Sequence, residues 1–334
     1  MRRIRPYIIL LALSLAGCSS EPAAPERELH PAAGESRASD SGLLAAAAAI
    51  TPVTSCTVPA PAAKESVNFA TRRYYSPGGQ AQRLDIAWPR SPGRKPLVVA
   101  IHGGGWYEHS RKFMQQEILT LAGQGYVAAS LDYRLTTLGG ANTFPAAVQD
   151  VRCAVRWLRA NAGSFDIDPA RVAALGYSAG GNLAAMLGTA GNVGSLDGTC
   201  PVTGTSPAVD AVLAFYAPLD LRDSDLFTPD LSDIVNDYLG NTPESNPAEA
   251  ALASPIAHVS SSDAPTLLFH RTRDPLVPLA HSRTMRSALD AAGVPATLVE
   301  VSGTQHTFRA FATSSSLRVV PCTTLAFLEQ ELAP

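Results

Sequence analysis

The sequence predicts an α/β fold, a mostly parallel sheet with helices on both faces. Three observations carry that expectation. From about Val67 onward, short apolar strand-like runs alternate with helical stretches, the pattern of repeated strand–helix–strand units. The run Leu97-Val98-Val99-Ala100-Ile101 is wholly apolar, as a strand buried on both faces requires. Glycine-rich segments then follow predicted strands, at His102-Gly103-Gly104-Gly105 and Gly176-Tyr177-Ser178-Ala179-Gly180, where an open parallel sheet gathers its ligands.

The elements follow in order. Residues 67–75 and 83–88 read as an antiparallel opening pair, and 97–101 as the buried strand. A helix is expected over 113–122 and a strand over 126–131. Over 146–160 the apolar spacing is near the helical repeat and puts Val148, Val151, Val155 and Leu158 on one face. Strands follow at 172–175, 211–215, 266–269 and 297–301, with helices at 182–187, 279–292 and 317–332. The interval 219–263 breaks the rhythm with Asp, Pro, Asn and Ser clusters and one short helical piece near 234–239. Insertions of that length commonly border an active site.

The chain has 334 residues, 46% of them hydrophobic and 16% charged, enough to bury a sizeable core. Its formal net charge of −3 shows neither a basic face nor an acidic tail, which argues against a nucleic-acid partner. Residues 1–17 read as a signal peptide: Arg2, Arg3 and Arg5 precede a short apolar stretch at 7–16. The stretch ends in Leu15-Ala16-Gly17-Cys18, which resembles a bacterial lipobox. That resemblance implies cleavage before Cys18, its lipidation, and membrane attachment through acyl chains rather than a spanning helix. Ser19 after it resembles the outer-membrane sorting pattern, facing periplasm or cell surface. The expected mature chain carries 23 basic against 29 acidic side chains, a charge of about −6, so adhesion by charge alone is disfavoured. Residues 18–65, rich in Ala, Pro, Ser and Glu, read as a tether, and 66–334 as the catalytic domain. Besides Cys18, four cysteines remain: Cys56, Cys153, Cys200 and Cys322. In an oxidising compartment they allow two disulfides and three pairings, among which the sequence does not choose. No Cys/His cluster suggests a metal, and no cofactor is implied.

Gly176-Tyr177-Ser178-Ala179-Gly180 has the form G-x-S-x-G between a predicted strand and a predicted helix, the setting of a nucleophile elbow. A serine hydroxyl needs a base, and the base needs an orienting acid. In chain order the acid comes next and the histidine last. Asp274 lies just past the strand at 266–269, and His306 just past that at 297–301. Asp263 precedes its strand and Asp290 lies in a helix; His109, His258, His270 and His281 read as hydrogen-bonded surface or core residues. The glycines of 103–105 let backbone N–H groups approach an oxyanion. Gly104 and Gly105, with Ala179, are the expected donors. His102 and Gly103 are read as loop support; Trp106 serves equally as packing or as a pocket wall.

Together these motifs resemble the esterase/lipase group of α/β-hydrolases that carry HGGG, and within it the bacterial feruloyl- and acetyl-esterase-like members (BD-FAE-like), which shade toward kynurenine formamidase. Supporting stretches are Asp132-Tyr133-Arg134-Leu135, Ala253-Ser254-Pro255-Ile256 and Asp274-Pro275-Leu276-Val277-Pro278. The resemblance implies eight strands, no cofactor and hydrolysis through an acyl-enzyme. It departs at Arg271, where the family usually has Gly after the histidine that ends the acid strand. Asp132, Tyr133 and Arg134 read as loop structure rather than chemistry. The first reading is therefore a serine carboxylesterase for small-to-medium acyl esters, carbohydrate-linked esters among them. The alternative is an amidase, arylformamidase or peptidase using the same triad, and the third a non-catalytic surface lipoprotein.

Overall fold

A computed structural model describes residues 48–137 and 140–333. The expected signal segment, Cys18 and the first part of the expected tether lie outside the described residues. Eight strands form one sheet: β1 (Asn68–Tyr75), β2 (Gln82–Trp88), β3 (Lys95–Ile101), β4 (Val127–Leu131), β5 (Ile167–Tyr177), β6 (Ala211–Phe215), β7 (Thr266–Arg271) and β8 (Ala296–Val301). Their spatial order is β1-β2-β4-β3-β5-β6-β7-β8. The β1–β2 and β2–β4 pairs are antiparallel, and every pair from β4–β3 to β7–β8 is parallel.

The helices are α1 (Gln115–Gly123), α2 (Ala146–Ala160), α3 (Ala179–Thr189), α4 (Pro229–Leu239), α5 (Pro247–Leu252), α6 (Ala280–Ala291) and α7 (Val319–Glu331). Alternate side chains of a strand face opposite ways, and β3 shows the result. Leu97, Val99 and Ile101 join a core with Val151 of α2, Leu183 of α3 and Met285 of α6. Val98 and Ala100 join a second core with Ile118 of α1 and Val320 of α7. Every one of these β3 side chains is fully buried, so a continuous apolar run is the only composition the strand tolerates.

The chain crosses from β3 to β4 on one side, and β5 then pairs with β3 on the other. The sheet order therefore reverses beside β3, and the loops leaving β3 and β5 open side by side there.

Three elements depart most from the sequence-based expectation. β5 begins at Ile167, because Lys95 pairs with Ile167 across an irregular register that Asp168 and Pro169 conceal. α3 begins directly after Ser178 although Gly180 and Gly181 are weak helix formers. Packing requires that pair: a Cβ on Gly181 would meet Ala217 Cβ at 2.7 Å. In the insertion, α4 spans eleven residues rather than one short piece. The Thr228 hydroxyl accepts from the Leu231 N–H, Pro229 opens the helix, and Gly240 ends it at φ 75°.

The expected tether boundary at 65 is corrected. Residues 48–63 lie along the domain rather than away from it. The Ile50 carbonyl accepts from the Thr297 hydroxyl (2.8 Å), the Val53 N–H donates to the Thr323 hydroxyl (2.9 Å), and Cys56 is disulfide-bonded to Cys322 of α7. The alanines and prolines of this strap mimic linker composition, yet some of its residues pack: Pro59 is buried, and Ile50 and Ala62 rest against the α1–α7 core. The second disulfide joins Cys153 of α2 to Cys200. Among the described residues no helix is long and apolar enough to cross a membrane.

Candidate active site

Ser178 sits on the turn between β5 and α3 at φ 51°, ψ −118°. A non-glycine residue at such φ is strained and persists only where its surroundings fix it. Here they do. A Cβ on Gly176 would lie 1.9 Å from the Gly180 carbonyl oxygen, and one on Gly180 would lie 2.3 Å from the carbonyl oxygens of Ile101 and His102. Both positions of the motif must therefore be glycine for the turn to close against the loop after β3.

The structure brings Ser178, His306 and Asp274 together. His306 Nε2 lies 3.0 Å from Ser178 Oγ, and His306 Nδ1 lies 2.7 Å from Asp274 Oδ2. A carboxylate only accepts, so Nδ1 carries the proton and donates to it. The Nε2 lone pair is thereby left to accept from the serine hydroxyl. The remaining oxygen, Oδ1, accepts from the backbone N–H groups of Leu276 and Val277, at 2.9 and 3.0 Å. Burial alone would raise the Asp274 pKa. The close imidazoles of His270 and His306 and the charge of His306 outweigh it and hold the carboxyl well below the ordinary carboxylate range.

The loop after β3 faces the serine: a Cβ on Gly103 would meet Ser178 Cβ at 3.2 Å. Gly103, Gly104, Gly105 and Ala179 line the same cavity as Ser178. Ala179 is the first residue of α3, where helical N–H groups have no intrahelical partner. Gly104 adopts φ 104°, and a Cβ there would meet the Glu108 carbonyl oxygen at 2.5 Å. His102 is fully buried, stacked 4.3 Å from Tyr133, and donates from Nδ1 to the Gly103 carbonyl at 2.8 Å. Burial lowers its pKa to about 4, so it holds the glycine loop as a neutral ring. Trp106, at φ 63°, lines the cavity and stacks on Tyr238 of α4 at 4.0 Å, so it is packing and wall at once.

The cavity measures about 150 Å³. Its inner wall is apolar, with Leu231 and Ile234 from α4 and Leu276 and Val277 from the loop bearing Asp274. Its rim carries Tyr107, Glu108 and His109, all exposed. His270, set aside as a triad member, is nevertheless close: its Nε2 donates to the Val277 carbonyl at 2.8 Å and lies 3.5 Å from Asp274 Oδ2. Its Nδ1 accepts from the Ser282 hydroxyl at 2.7 Å. Asp132 and Arg134 are held in ion pairs with Arg111 and Asp150, as loop structure.

Arg271 stands where the sequence resemblance led to an expectation of glycine. Its guanidinium donates to the Ser302 carbonyl at 2.9 Å and lies 5.3 Å over the Phe308 ring. Gly303 makes room: a Cβ there would lie 2.2 Å from the guanidinium. The substituted residue thus braces the loop that carries His306.

Sequence reasoning missed Tyr216, whose ring meets His306 edge-on at 4.9 Å. Its position directly after the apolar strand at 211–215 was an available signal.

A nucleophile elbow on this sheet, with acid and base leaving β7 and β8 in that order, defines the α/β-hydrolase fold. Within that fold the chain belongs to the BD-FAE family, whose profile matches residues 84–289. It is 30% identical over 255 residues to the Mycobacterium tuberculosis (strain ATCC 25618 / H37Rv) esterase LipQ, covering 73% of this chain and 58% of that protein. The chain spans little more than half the length of the curated mycobacterial esterases it matches. Among solved structures, a truncated carbohydrate esterase from gut microbiota superposes with TM-score 0.67 at 25% identity, over 81% of this chain and 99% of that one. A thermophilic esterase of the Planctomycetes species Thermogutta terrifontis, with propionate bound, gives TM-score 0.66 at 27% identity over 79% and 96%.

Proposed function

We propose that the protein is a serine carboxylesterase that hydrolyses small-to-medium acyl esters through an acyl-enzyme on Ser178. The observation that carries this reading is the unbroken chain from Ser178 Oγ through His306 to Asp274, opening on a cavity with an apolar inner wall. Ser178 attacks the acyl carbon while His306 Nε2 takes its proton. The oxyanion accepts from the N–H groups of Ala179 and of Gly104 or Gly105, each donor contributing about 3 kcal/mol of barrier lowering. Collapse of the tetrahedral species expels the alcohol, which takes its proton from His306. Water then repeats the sequence and releases the acid.

The 150 Å³ volume favours short acyl chains. A carbohydrate is the favoured alcohol: the exposed rim of Tyr107, Glu108 and His109 offers a ring face and hydroxyl partners, and a structural neighbour is a carbohydrate esterase. We place the enzyme outside the cytoplasm as a lipoprotein held through Cys18, a reading supported by Leu15-Ala16-Gly17-Cys18 and by two disulfides, which persist in oxidising compartments.

The test uses the chain from residue 19 with 4-nitrophenyl esters from acetyl to decanoyl, and N-formylkynurenine beside them. Turnover is expected to peak at short esters and to vanish in Ser178→Ala. Amide turnover above ester turnover would transfer the site to the amidase class. Absence of both, together with no fluorophosphonate label on Ser178, would sink the enzymatic reading.

A further inference from the structure

Behind the triad lies a polar cluster that the chemistry above does not use. Glu117 of α1 is a carboxylate only 1% exposed, set among apolar residues of the α1–α7 core. A buried charge is costly unless it is paired and hydrogen-bonded, and Glu117 is fully engaged. Arg309 donates to both of its oxygens, through Nε at 2.7 Å and through a second, shorter bond from the terminal nitrogen. The hydroxyl of Tyr177 donates to Oε1 at 2.9 Å, and that hydroxyl itself accepts from the Ala310 N–H at 2.6 Å.

The partners matter more than the pair. Tyr177 immediately precedes Ser178, so its side chain moves with the nucleophile elbow. Arg309 and Ala310 lie three and four residues past His306, on the loop that carries the base. Arg309 also donates to the Phe113 carbonyl at 2.9 Å and lies 5.0 Å over the Phe113 ring, which lines the catalytic cavity. One carboxylate therefore joins the elbow, the base loop and the cavity mouth. Beside Arg309 the Tyr216 hydroxyl donates to the Phe308 carbonyl at 3.0 Å, and at the other end of the same loop Arg271 holds the Ser302 carbonyl. His306 sits between these clips.

We propose that Glu117, Arg309 and the Tyr177 hydroxyl form a positioning unit that sets the distance between Ser178 and His306. Burial and the adjacent Glu117 raise the Tyr177 phenol well above its ordinary value, so it remains a donor across the working pH range. The unit touches no reacting atom. Its effect is geometric: a displacement of about 1 Å between nucleophile and base is enough for a loss near 100-fold. This inference rests on the serine-esterase reading of the site.

The test compares Tyr177→Phe, Glu117→Gln and the double variant by kcat and KM on 4-nitrophenyl acetate, and by the rate at which a fluorophosphonate labels Ser178. Each single variant is expected to lower kcat about 10- to 100-fold with KM within about twofold, and to slow labelling by the same factor. The double variant is expected to fall no further than the worse single, because both cut one unit. Tyr177→Phe removes one oxygen from a ring that stays in place, so it decides the matter if Glu117→Gln does not fold. Unchanged kcat and labelling in Tyr177→Phe would overturn the proposal, as would additive losses or a loss confined to KM. If the wild-type protein labels at Ser178 yet cleaves no ester, the esterase reading fails, while the labelling rates still judge the unit.

Discussion

At the scale of single residues, the site separates two histidines that sequence context places near one acid. His306 reaches Ser178; His270 reaches Val277 and Ser282 and only borders Asp274. His306→Ala should therefore abolish ester turnover, whereas His270→Ala should retain at least about a tenth of it, since Asp274 keeps its bonds from His306, Leu276 and Val277. Asp274→Asn should lower kcat about 10⁴-fold at pH 7, because an amide in that place can present its NH₂ and favour the wrong His306 tautomer. Steady-state kinetics on 4-nitrophenyl acetate check all three; comparable losses in the two histidine variants would reverse the assignment of the base. His306 and Asp274 were legible in the sequence because each follows an apolar run by a few residues, in the order the fold imposes. The Glu117–Tyr177 contact was not, because it joins residues 60 positions apart.

At the scale of elements, the insertion supplies what the strands cannot. α4 turns Leu231, Ile234, Val235 and Tyr238 to the domain at helical spacing. Tyr238 stacks on Trp106, and the Thr228 cap donates to the Leu276 carbonyl at 2.7 Å. The helix is thereby fixed to both the glycine loop and the acid loop. Ile234 reaches the glycine loop, with Cγ2 3.2 Å from where a Cβ on Gly105 would stand. Ile234→Ala should lengthen the preferred acyl chain by about two carbons, with the ratio of kcat/KM for hexanoyl over acetyl esters rising about tenfold. An unchanged ratio would remove α4 from the specificity wall. The sequence marked the interval 219–263 as site-bordering from its length and composition, yet only part of the helix was visible. Its cap, Pro229 and Gly240 were the readable signals that restore its true span.

At the scale of the whole molecule, two buried neutral histidines set the acid response. His102 and His281 are both moved from the ordinary 6.5 to about 4, each first by burial, and for His281 next by His270. His281 Nδ1 accepts from the Leu219 N–H at 3.3 Å, an arrangement that protonation of that nitrogen would break. At these two positions the unfolded chain takes up protons below pH 6.5, while the folded rings take up theirs only near pH 4. Stability is full above the upper value and falls through that window, by on the order of 3 kcal/mol per histidine. Urea unfolding at pH 7, 5.5 and 4.5 should show the decline, and His281→Asn should remove about half of it, the share of one of the two histidines; a profile level across the window would exclude this account. The depressed Asp274 acts in a lower range, its contribution vanishing only as the pH drops below ordinary carboxylate values. Across the same molecule, Cys56–Cys322 ties the strap at the start of the described chain to its last helix. Linker-like composition at 48–63 concealed that attachment, since a strap held by a few hydrogen bonds and one disulfide needs no apolar period.

The sequence by itself determined the sheet, the elbow and the order of acid and base. Those follow from local rules: apolar runs must be buried, tight turns need glycine, and strand ends carry ligands. Tertiary structure alone decided which cysteines pair, that the strap is docked, that Arg271 braces the base loop, and that Glu117 joins elbow to base. These are contacts between residues far apart in the chain. Pairing of that kind leaves no periodicity in a single sequence, because it is set by how the elements stack and not by what any one of them contains.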